Sequence, residues 1–237
     1  MLRPITLLKT ALAVTVFSVL TSCCEEDPGP IQEMHKDYPI VDFDRLEMGS
    51  AFNIAVEQGN SFSVTVKGDR RNIDDLNVYK NGSTLVVEFD DDGNRHHDTY
   101  VSITMPSLKG VNFSGASVSK IRGFESDEDL DFYLSGASIS QLDVNYREVD
   151  LVVAGASSLV LFGSGDQFNA EISGASMFKA FDYPVREAVI DISGASEGKV
   201  AVTEELKVTA GGASTVLYRG NPSIISNTSG ASTVQKD

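Results

Sequence analysis

A short loop rich in potential metal ligands interrupts two strand-like segments. Residues 90–98 read Asp-Asp-Asp-Gly-Asn-Arg-His-His-Asp. Carboxylate oxygens around a glycine suit calcium, whereas imidazole nitrogens suit zinc, so the candidate ligands are Asp90, Asp92, His96 and His97. Their spacing matches neither an EF-hand loop nor a paired-ligand zinc site. We therefore favour a solvated hairpin loop and expect no metal or other cofactor.

Two pairs of carboxylates stand at fixed distances before a repeated glycine. Glu171 and Asp191 precede theirs by three residues, and Asp131 and Asp150 precede theirs by five. If the repeats stack at the strand spacing of about 4.8 Å, each pair lies side by side on an outer face. Neighbouring carboxylates can support acid–base chemistry on sugars or bind a cation. The alternative is that they point into water and keep the surface soluble.

Four tyrosines of the same region offer flat rings on which a sugar could stack. They are Tyr133, Tyr146, Tyr183 and Tyr218. The alternative role for such residues is to cover hydrophobic surface. The chain contains no Trp, and it carries no phosphate-cradling or nucleotide-binding motif.

A Gly-Ala-Ser triplet that recurs seven times organises the part of the chain that positions these residues. The glycine-to-glycine steps are 21, 19, 19, 20, 18 and 18 residues. The seven glycines are Gly115, Gly136, Gly155, Gly174, Gly194, Gly212 and Gly230.

An alternating apolar pattern before the triplets predicts β-strands. Phe132 and Leu134 precede one glycine by four and two residues, and Leu151 and Val153 precede the next in the same way. Strands this short cannot bury their apolar faces alone, so we expect successive copies to stack. The sequence predicts an all-β fold, a single-stranded β-helix or β-solenoid. Coil lengths that drift from 18 to 21 residues without a six-residue period favour the right-handed form.

The triplet itself is expected to be a corner of each coil. Glycine adopts positive φ cheaply, alanine would fill a tight bend, and a row of serines could hydrogen-bond between coils. The repeat region contains no histidine to serve as a base, so we do not interpret these serines as nucleophiles.

Residues 40–108 are predicted to form a strand-rich N-terminal part that covers the first coil, and residues 109–237 are predicted to form the repeat coils. Within the first part, only Arg71 to Val78 could hold a helical turn. At the other end, Ala231 to Asp237 end the chain within one corner. We expect an exposed last coil that could pair with a second copy of the chain.

The N-terminal residues resemble an export signal. Residues 1–22 carry Arg3, Lys9 and an apolar run too short to span a bilayer. Leu20-Thr21-Ser22-Cys23 resembles the lipobox of bacterial lipoproteins, which implies that Cys23 is lipidated and anchors the chain in a membrane. A plain cleaved signal is the alternative. Residues 23–39 are predicted to be an acidic and proline-rich tether. Its acidic run resembles a surface-export signal, and the alternative is a solvated linker without such a role.

The formal net charge of −15 restricts the partners of the protein. Such a surface repels nucleic acid at long range, so we expect no nucleic-acid partner. Neutral glycans and proteins remain open as ligands. Beyond Cys24 the chain has no cysteine, so packing and backbone hydrogen bonds must hold the domain together.

Two stretches carry a resemblance to a known family. Phe62–Gly68, and Ile103–Pro106 leading into Val111–Ser117, resemble the head GIN domain family of auto-transporter adhesins over roughly residues 40–234. The resemblance implies a right-handed β-helix in the cell envelope and supplies no catalytic residues. We therefore expect a non-enzymatic, adhesin-like lipoprotein of a Gram-negative outer membrane. The alternative is a polysaccharide-active β-helix enzyme that uses the stacked carboxylates.

Overall fold

A computed structural model describes residues 29–91, 93 and 95–237. The described part of the chain is built of β-strands with one short helix. In chain order its elements are β1 (Glu33–Tyr38), β2 (Arg45–Met48), β3 (Phe52–Gln58), β4 (Ser63–Asp69), α1 (Arg70–Asp74), β5 (Leu76–Asn81), β6 (Thr84–Phe89), β7 (Thr99–Met105), β8 (Gly110–Phe113), β9 (Val118–Leu134), β10 (Ile139–Val153), β11 (Ser158–Ser164), β12 (Gln167–Ile172), β13 (Met177–Ile192), β14 (Glu197–Ala210), β15 (Thr215–Arg219), β16 (Ser223–Thr228) and β17 (Thr233–Lys236). No described helix is long and apolar enough to cross a membrane.

Parallel pairing of successive copies builds the repeat region. β9 pairs with β10, β10 with β11 and β12, and β13 with β14, so each strand lies beside the strand one repeat later. The prediction of an all-β solenoid is confirmed. Its right-handed sense stays a prediction, in keeping with the usual hand of parallel crossover connections.

Inward-facing residues of each coil form ladders of similar apolar side chains. One ladder runs through positions two residues before the first six corner glycines, and all six of its members are buried; it comprises Phe113, Leu134, Val153, Ile172, Ile192 and Ala210. Fully burying a side chain of the Leu or Phe type contributes about 1.5–3 kcal/mol. Because each of these coils adds an apolar residue at the same place, the core is continuous along the solenoid up to the last coil, where exposed Thr228 takes this position.

The seven triplet glycines all lie at corners with φ between 70° and 81°. A Cβ at Gly155 would fall under 3.0 Å from the carbonyl oxygen of Gly136, a separation that real Cβ atoms essentially never show. The next residue, Ala156, donates its backbone N–H to that same carbonyl oxygen at 2.8 Å. Glycine is therefore required by both its backbone conformation and its contact with the coil before it.

The alanine of the triplet differs from the expectation that it fills the bend, because the seven alanines are exposed. The serines of the first six triplets are buried inside the corner, and Ser232 of the last triplet is partly buried. The hydroxyl of Ser138 donates to the carbonyl of Ser135 at 2.8 Å, a bond within one corner that recurs in later coils. A hydroxyl contact between coils joins Ser117 to Ser138 at 3.1 Å. Other triplet serines bond to the backbone of the neighbouring coil, as where the hydroxyl of Ser196 donates to the carbonyl of Gly174 at 3.3 Å. The serines thus satisfy polar groups both within their own corners and between coils, as the sequence predicted.

The N-terminal strands do not follow one another along the solenoid axis. β2 pairs in parallel with both β6 and β8, and β3 pairs in parallel with both β7 and β9. The β2–β3 coil is therefore sandwiched, and the later β6–β7 coil lies outside it. β4 pairs antiparallel with β7, and β1 pairs antiparallel with β4. β5 pairs antiparallel with β6.

A short helix, α1, lies against β1 and β4 at this end of the solenoid. Asp69 is fully buried and accepts hydrogen bonds from the backbone N–H groups of Arg71 and Gln32. The hydrogen-bonded guanidinium of Arg71 holds the pKa of Asp69 far below its usual range. Ile73 is buried in the core. The helix ends earlier than the predicted turn, because residues from Leu76 onward pair with β6.

β1 lies within the segment 23–39 that was predicted to be a tether. Residues 33–38 pair with β4 along their whole length, so they are part of the folded domain. At the other end of the molecule every residue of β16 is exposed, which matches the exposed last coil expected from the sequence.

Replacing two glycines separates backbone strain from steric clash. Gly155→Ala should lower the free energy of unfolding by well over the roughly 1–2 kcal/mol that a left-handed conformation costs an L-residue. Gly123→Ala should lose only about that amount, because its Cβ would meet only Gln58 Cβ at 3.8 Å, although its φ is 85°. Urea unfolding measures both values. Equal losses at the two sites would contradict the close stacking of the corners.

Removing the carboxylate of Asp69 should make stability less dependent on acid pH. Asp69→Ala loses the N-cap and should lower the free energy of unfolding by about 1–2 kcal/mol at pH 7. Since the folded-state pKa lies below the unfolded value of about 3.9, this contribution is present above that value and disappears as the pH falls through the folded pKa.

The gap between wild type and Asp69→Ala should therefore narrow on acidification below pH about 4. Asp74→Ala, which removes an exposed carboxylate from the same helix, is the control and should show little effect. Urea unfolding at several pH values checks this prediction. A gap that stays constant down to the lowest pH would argue against the ion pair.

Candidate functional site

Each corner separates two outer surfaces with different chemistry. We call the surface before the corners the leading face; it comprises β2, β6, β8, β12, β16 and the C-terminal parts of β9, β10, β13 and β14. The surface after the corners is the trailing face; it comprises β3, β7, β11, β15, β17 and the N-terminal parts of the same four long strands. The parallel register aligns side chains of successive coils in columns on both faces.

A shallow groove of about 550 Å³ crosses the leading face near its N-terminal end. Polar side chains from six different strands line it, and an aromatic ring lies among them. The lining includes Arg45, Asp131, Tyr133, Asp150, Asn169 and Glu171. We call this feature the leading-face groove. It contains three of the four carboxylates predicted from the sequence.

An ion pair spans one coil at the floor of the groove. Arg45 of β2 donates to Asp131 of β9 at 2.9 Å, although β8 lies between them. Gly110 occupies the intervening position, and any side chain there would collide with the guanidinium of Arg45. This glycine therefore lets the two charges meet, and it leaves the groove open above them.

An amide bridges two carboxylates on the other side of the groove. Asn169 donates its side-chain N–H groups to Asp150 at 2.7 Å and to Glu148 at 3.0 Å. The predicted adjacency of Asp131 and Asp150 is present, since these residues face each other in the register of β9 and β10. Both carboxylates are thus held in place by hydrogen-bonded partners from other coils.

The tyrosines divide into one exposed ring and three that pack inward. Tyr133 is 53% exposed and lies in the groove. Tyr146 and Tyr183 are buried in the core, and burial raises the pKa of Tyr183 to about 12. Their hydroxyls donate to backbone carbonyls, and the ring of Tyr218 packs partly against the core. The rings of Tyr146 and Tyr183 are therefore not accessible for stacking on a sugar.

The second predicted carboxylate pair also lies on the leading face. Glu171 and Asp191 are opposite each other in the register of β12 and β13, and both are exposed. Only Glu171 of the two borders the groove. Their side chains face solvent, which is the arrangement expected of carboxylates that keep a sheet surface soluble.

The loop of residues 90–98 takes the place of a corner between β6 and β7. Arg95 forms ion pairs with Asp75 and Asp91 and lies 4.2 Å above the ring of Phe89. The carbonyl of His97 accepts a hydrogen bond from Asn72 of α1, and His97 Nε2 lies 3.9 Å from Asp69. These contacts tie the loop to the cap of the solenoid.

Metal binding finds no support in this loop among the residues that the structure describes. Within residues 29–91, 93 and 95–237, no three His, Cys, Asp or Glu side chains are grouped as metal ligands. Asp90, His96 and His97 fall within those ranges, whereas Asp92 lies outside them. Cys23 and the predicted signal peptide 1–22 also lie outside the described residues.

The family profile described as "Putative auto-transporter adhesin, head GIN domain" matches residues 42–222, which is most of the solenoid. The chain belongs to the head GIN domain family. This membership covers both the N-terminal strands and six of the seven Gly-Ala-Ser corners. A comparison with curated proteins found no match.

Solved structures of several bacterial proteins share the fold. A "putative adhesin" from Bacteroides fragilis is 18% identical with a TM-score of 0.79, over 87% of this chain and 97% of that chain. A "putative adhesin" from Parabacteroides merdae is 18% identical with a TM-score of 0.67, over 86% and 96%. A "putative lipid binding protein" from Parabacteroides distasonis is 19% identical with a TM-score of 0.68, over 86% and 96%.

Sequence reasoning missed Arg45, Gly110 and Asn169 as groove residues. Asn169 shares its position five residues before a corner glycine with Asp131 and Asp150, so the same column count could have found it. No comparable sequence pattern marks Arg45, because this residue precedes the repeats. It lies beside β8 because the chain, after β7, returns to pair with β2.

Proposed function

We propose that this head GIN protein is a lipid-anchored, adhesin-like binding protein of the outer membrane. Membership in a family described as adhesins supports a binding role in the cell envelope. The lipobox-like run ending at Cys23 supports the lipid anchor, and the acidic run behind it supports display at the cell surface. The solenoid then serves as a rigid support for a binding face.

The observation that carries the binding role is the composition of the leading-face groove. It combines an exposed aromatic ring at Tyr133 with a pre-paired Arg45–Asp131 couple and the Asp150–Asn169 amide bridge. Sugars are recognised by this combination, since their apolar ring faces stack on aromatics and their hydroxyls bond to carboxylate, amide and guanidinium groups.

The charge of the leading face restricts the glycan class. Glu47, Glu171 and Asp191 add exposed carboxylates around the ion pair and the amide bridge. An anionic polysaccharide would be repelled by this surface at low ionic strength. We therefore propose that the groove takes a neutral glycan chain, bound across several coils.

An enzyme that cleaves polysaccharide is the second candidate. The register places Glu171 beside Asp191, and strands about 4.8 Å apart bring carboxylates near the separation of roughly 5–5.5 Å used by retaining glycosidases. Both side chains are exposed, however, and a general acid gains its raised pKa from burial in an apolar pocket. The geometry therefore favours binding over hydrolysis.

A glycan array read with the purified protein tests the proposal. Tyr133→Ala should weaken binding of a neutral glycan about two- to tenfold, because a stacking contact contributes roughly 0.5–1.5 kcal/mol. Tyr100→Ala is the matched control, since Tyr100 is 49% exposed on the trailing face and should leave binding unchanged.

A reducing-sugar assay on the same glycans separates the two candidates. The binding proposal expects no release of reducing ends from any glycan that the array detects. Turnover that disappears in Glu171→Gln or Asp191→Asn would overturn it in favour of the enzyme. Equal binding by Tyr133→Ala and wild type would show that the ligand occupies another surface.

A further inference from the structure

An apolar row runs across coils of the trailing face, on the surface that faces solvent. Register aligns Tyr100 with Asn53, Asn53 with Val118, and Val118 with Ile139. Tyr100, Val118 and Ile139 are 49%, 47% and 54% exposed. An outward column of a solenoid usually carries polar residues, so large apolar side chains at three of four successive positions require an explanation.

A second groove, of about 440 Å³, lies along this row. Ala55 and Val160 contribute further apolar surface in the adjacent column. In the row itself, Ser158 follows Ile139 in the next coil, and Met177 follows Ser158 in the coil after that. We call this surface the trailing-face patch: Tyr100, Val118, Ile139, Val160 and Met177. Asn53 and Ser158 interrupt the patch, but exposed apolar side chains clustered on one face of a monomer mark a site of contact with a partner or a membrane.

Cationic side chains flank the trailing-face patch. Lys120 and Lys179 are exposed in the column next to the apolar row. Within the described part of the chain, neither lysine has an ion-pair partner, whereas Lys199 one coil further on pairs with Glu197 at 2.7 Å. The trailing face also carries acidic residues, but Glu57 is paired with Arg122 and Glu197 with Lys199. Lys120 and Lys179 are therefore cations available to phosphate groups beside the apolar row.

The proposed lipid anchor enters the domain at an edge of this same face. β1 pairs with β4 and β4 pairs with β7, so that His35, Lys67 and Tyr100 lie in one line. Cys23 precedes the start of β1 by ten residues, which span at most about 36 Å when fully extended. Exposed Ile31 lies in the short segment between them. A lipid at Cys23 would therefore keep this edge close to the bilayer surface.

We propose that the trailing-face patch rests on the surface of the bilayer that holds the anchor. Tyr100, Val118 and Ile139 then lie among the headgroups, and Lys120 and Lys179 lie near lipid phosphates. This inference rests on the proposed lipid anchor. It leaves the leading-face groove uncovered, so that the groove remains accessible to a ligand while the anchor holds the protein.

Depth-dependent quenching on the lipidated full chain tests this orientation. A Cys24→Ser background leaves Cys23 as the sole native cysteine, and mass spectrometry shows whether it carries lipid. Val118→Cys and Val189→Cys are then labelled separately with an environment-sensitive fluorophore. Val118 and Val189 are a matched pair, since both are 47% exposed and they lie on the trailing and leading faces.

The protein is placed in vesicles of phosphatidylethanolamine and phosphatidylglycerol, with and without spin-labelled lipid. We expect spin-labelled lipid to quench the probe at position 118 at least twofold, and to leave the probe at position 189 nearly unchanged. Ile139→Asp should abolish the quenching at 118, because it places a charge in the middle of the apolar row.

Absent or equal quenching at the two positions would overturn the orientation while leaving the anchor intact. A blue shift at position 118 without quenching by lipid would also overturn it, because the patch would then be covered by protein, including a second copy of the chain. A mass that shows no lipid on Cys23 would instead overturn the proposed anchor, and the orientation with it.

Discussion

The close approach of successive corners is the constraint on which the structure depends. The coils stack so tightly at each bend that the carbonyl of one glycine occupies the space where a Cβ of the next would lie. That carbonyl also accepts the backbone N–H of the following alanine at 2.7–2.8 Å. With no disulfide beyond Cys24, this repeated backbone contact and the apolar ladders hold the coils in register. A substitution at any corner acts on both neighbouring coils.

Because the coils stay in strict register, residues at the same position of successive repeats become neighbours on one surface. Asp131 and Asp150 are nineteen residues apart in sequence, yet they are direct neighbours on the leading face. The same geometry gathers Tyr100, Val118 and Ile139 on the trailing face. A polar groove with one exposed ring and an apolar row with lysines therefore arise from one scaffold. We propose that the first binds glycan and the second faces the lipid surface.

The repeat region could be predicted because its signals are local. Each triplet is followed by another after 18–21 residues, and the alternation before it fixes which side chains face inward. Tyr146 continues the alternation of Leu142 and Val144 after the corner, so its burial also follows from the pattern. The burial of Tyr183 was not predictable, because the alternation breaks between Ala180 and Tyr183. The position of the β2–β3 coil between two other coils could not be predicted either. It depends on the pairing of β2 with β8, whose residues are more than sixty positions apart in the sequence. Without that pairing, Arg45 could not be assigned to the groove.

Hydrogen exchange at the corner amides tests the stacking most directly. The alanines of the triplets have exposed side chains, but Ala156 and Ala175 donate their amides to glycine carbonyls of the coil before, each at 2.8 Å. Two-dimensional NMR after transfer to D₂O should therefore find these amide protons protected to the same extent as those of the core strands. Exchange of these amide protons as fast as in solvent-exposed turns would show that the corners do not stack, and it would contradict the solenoid packing.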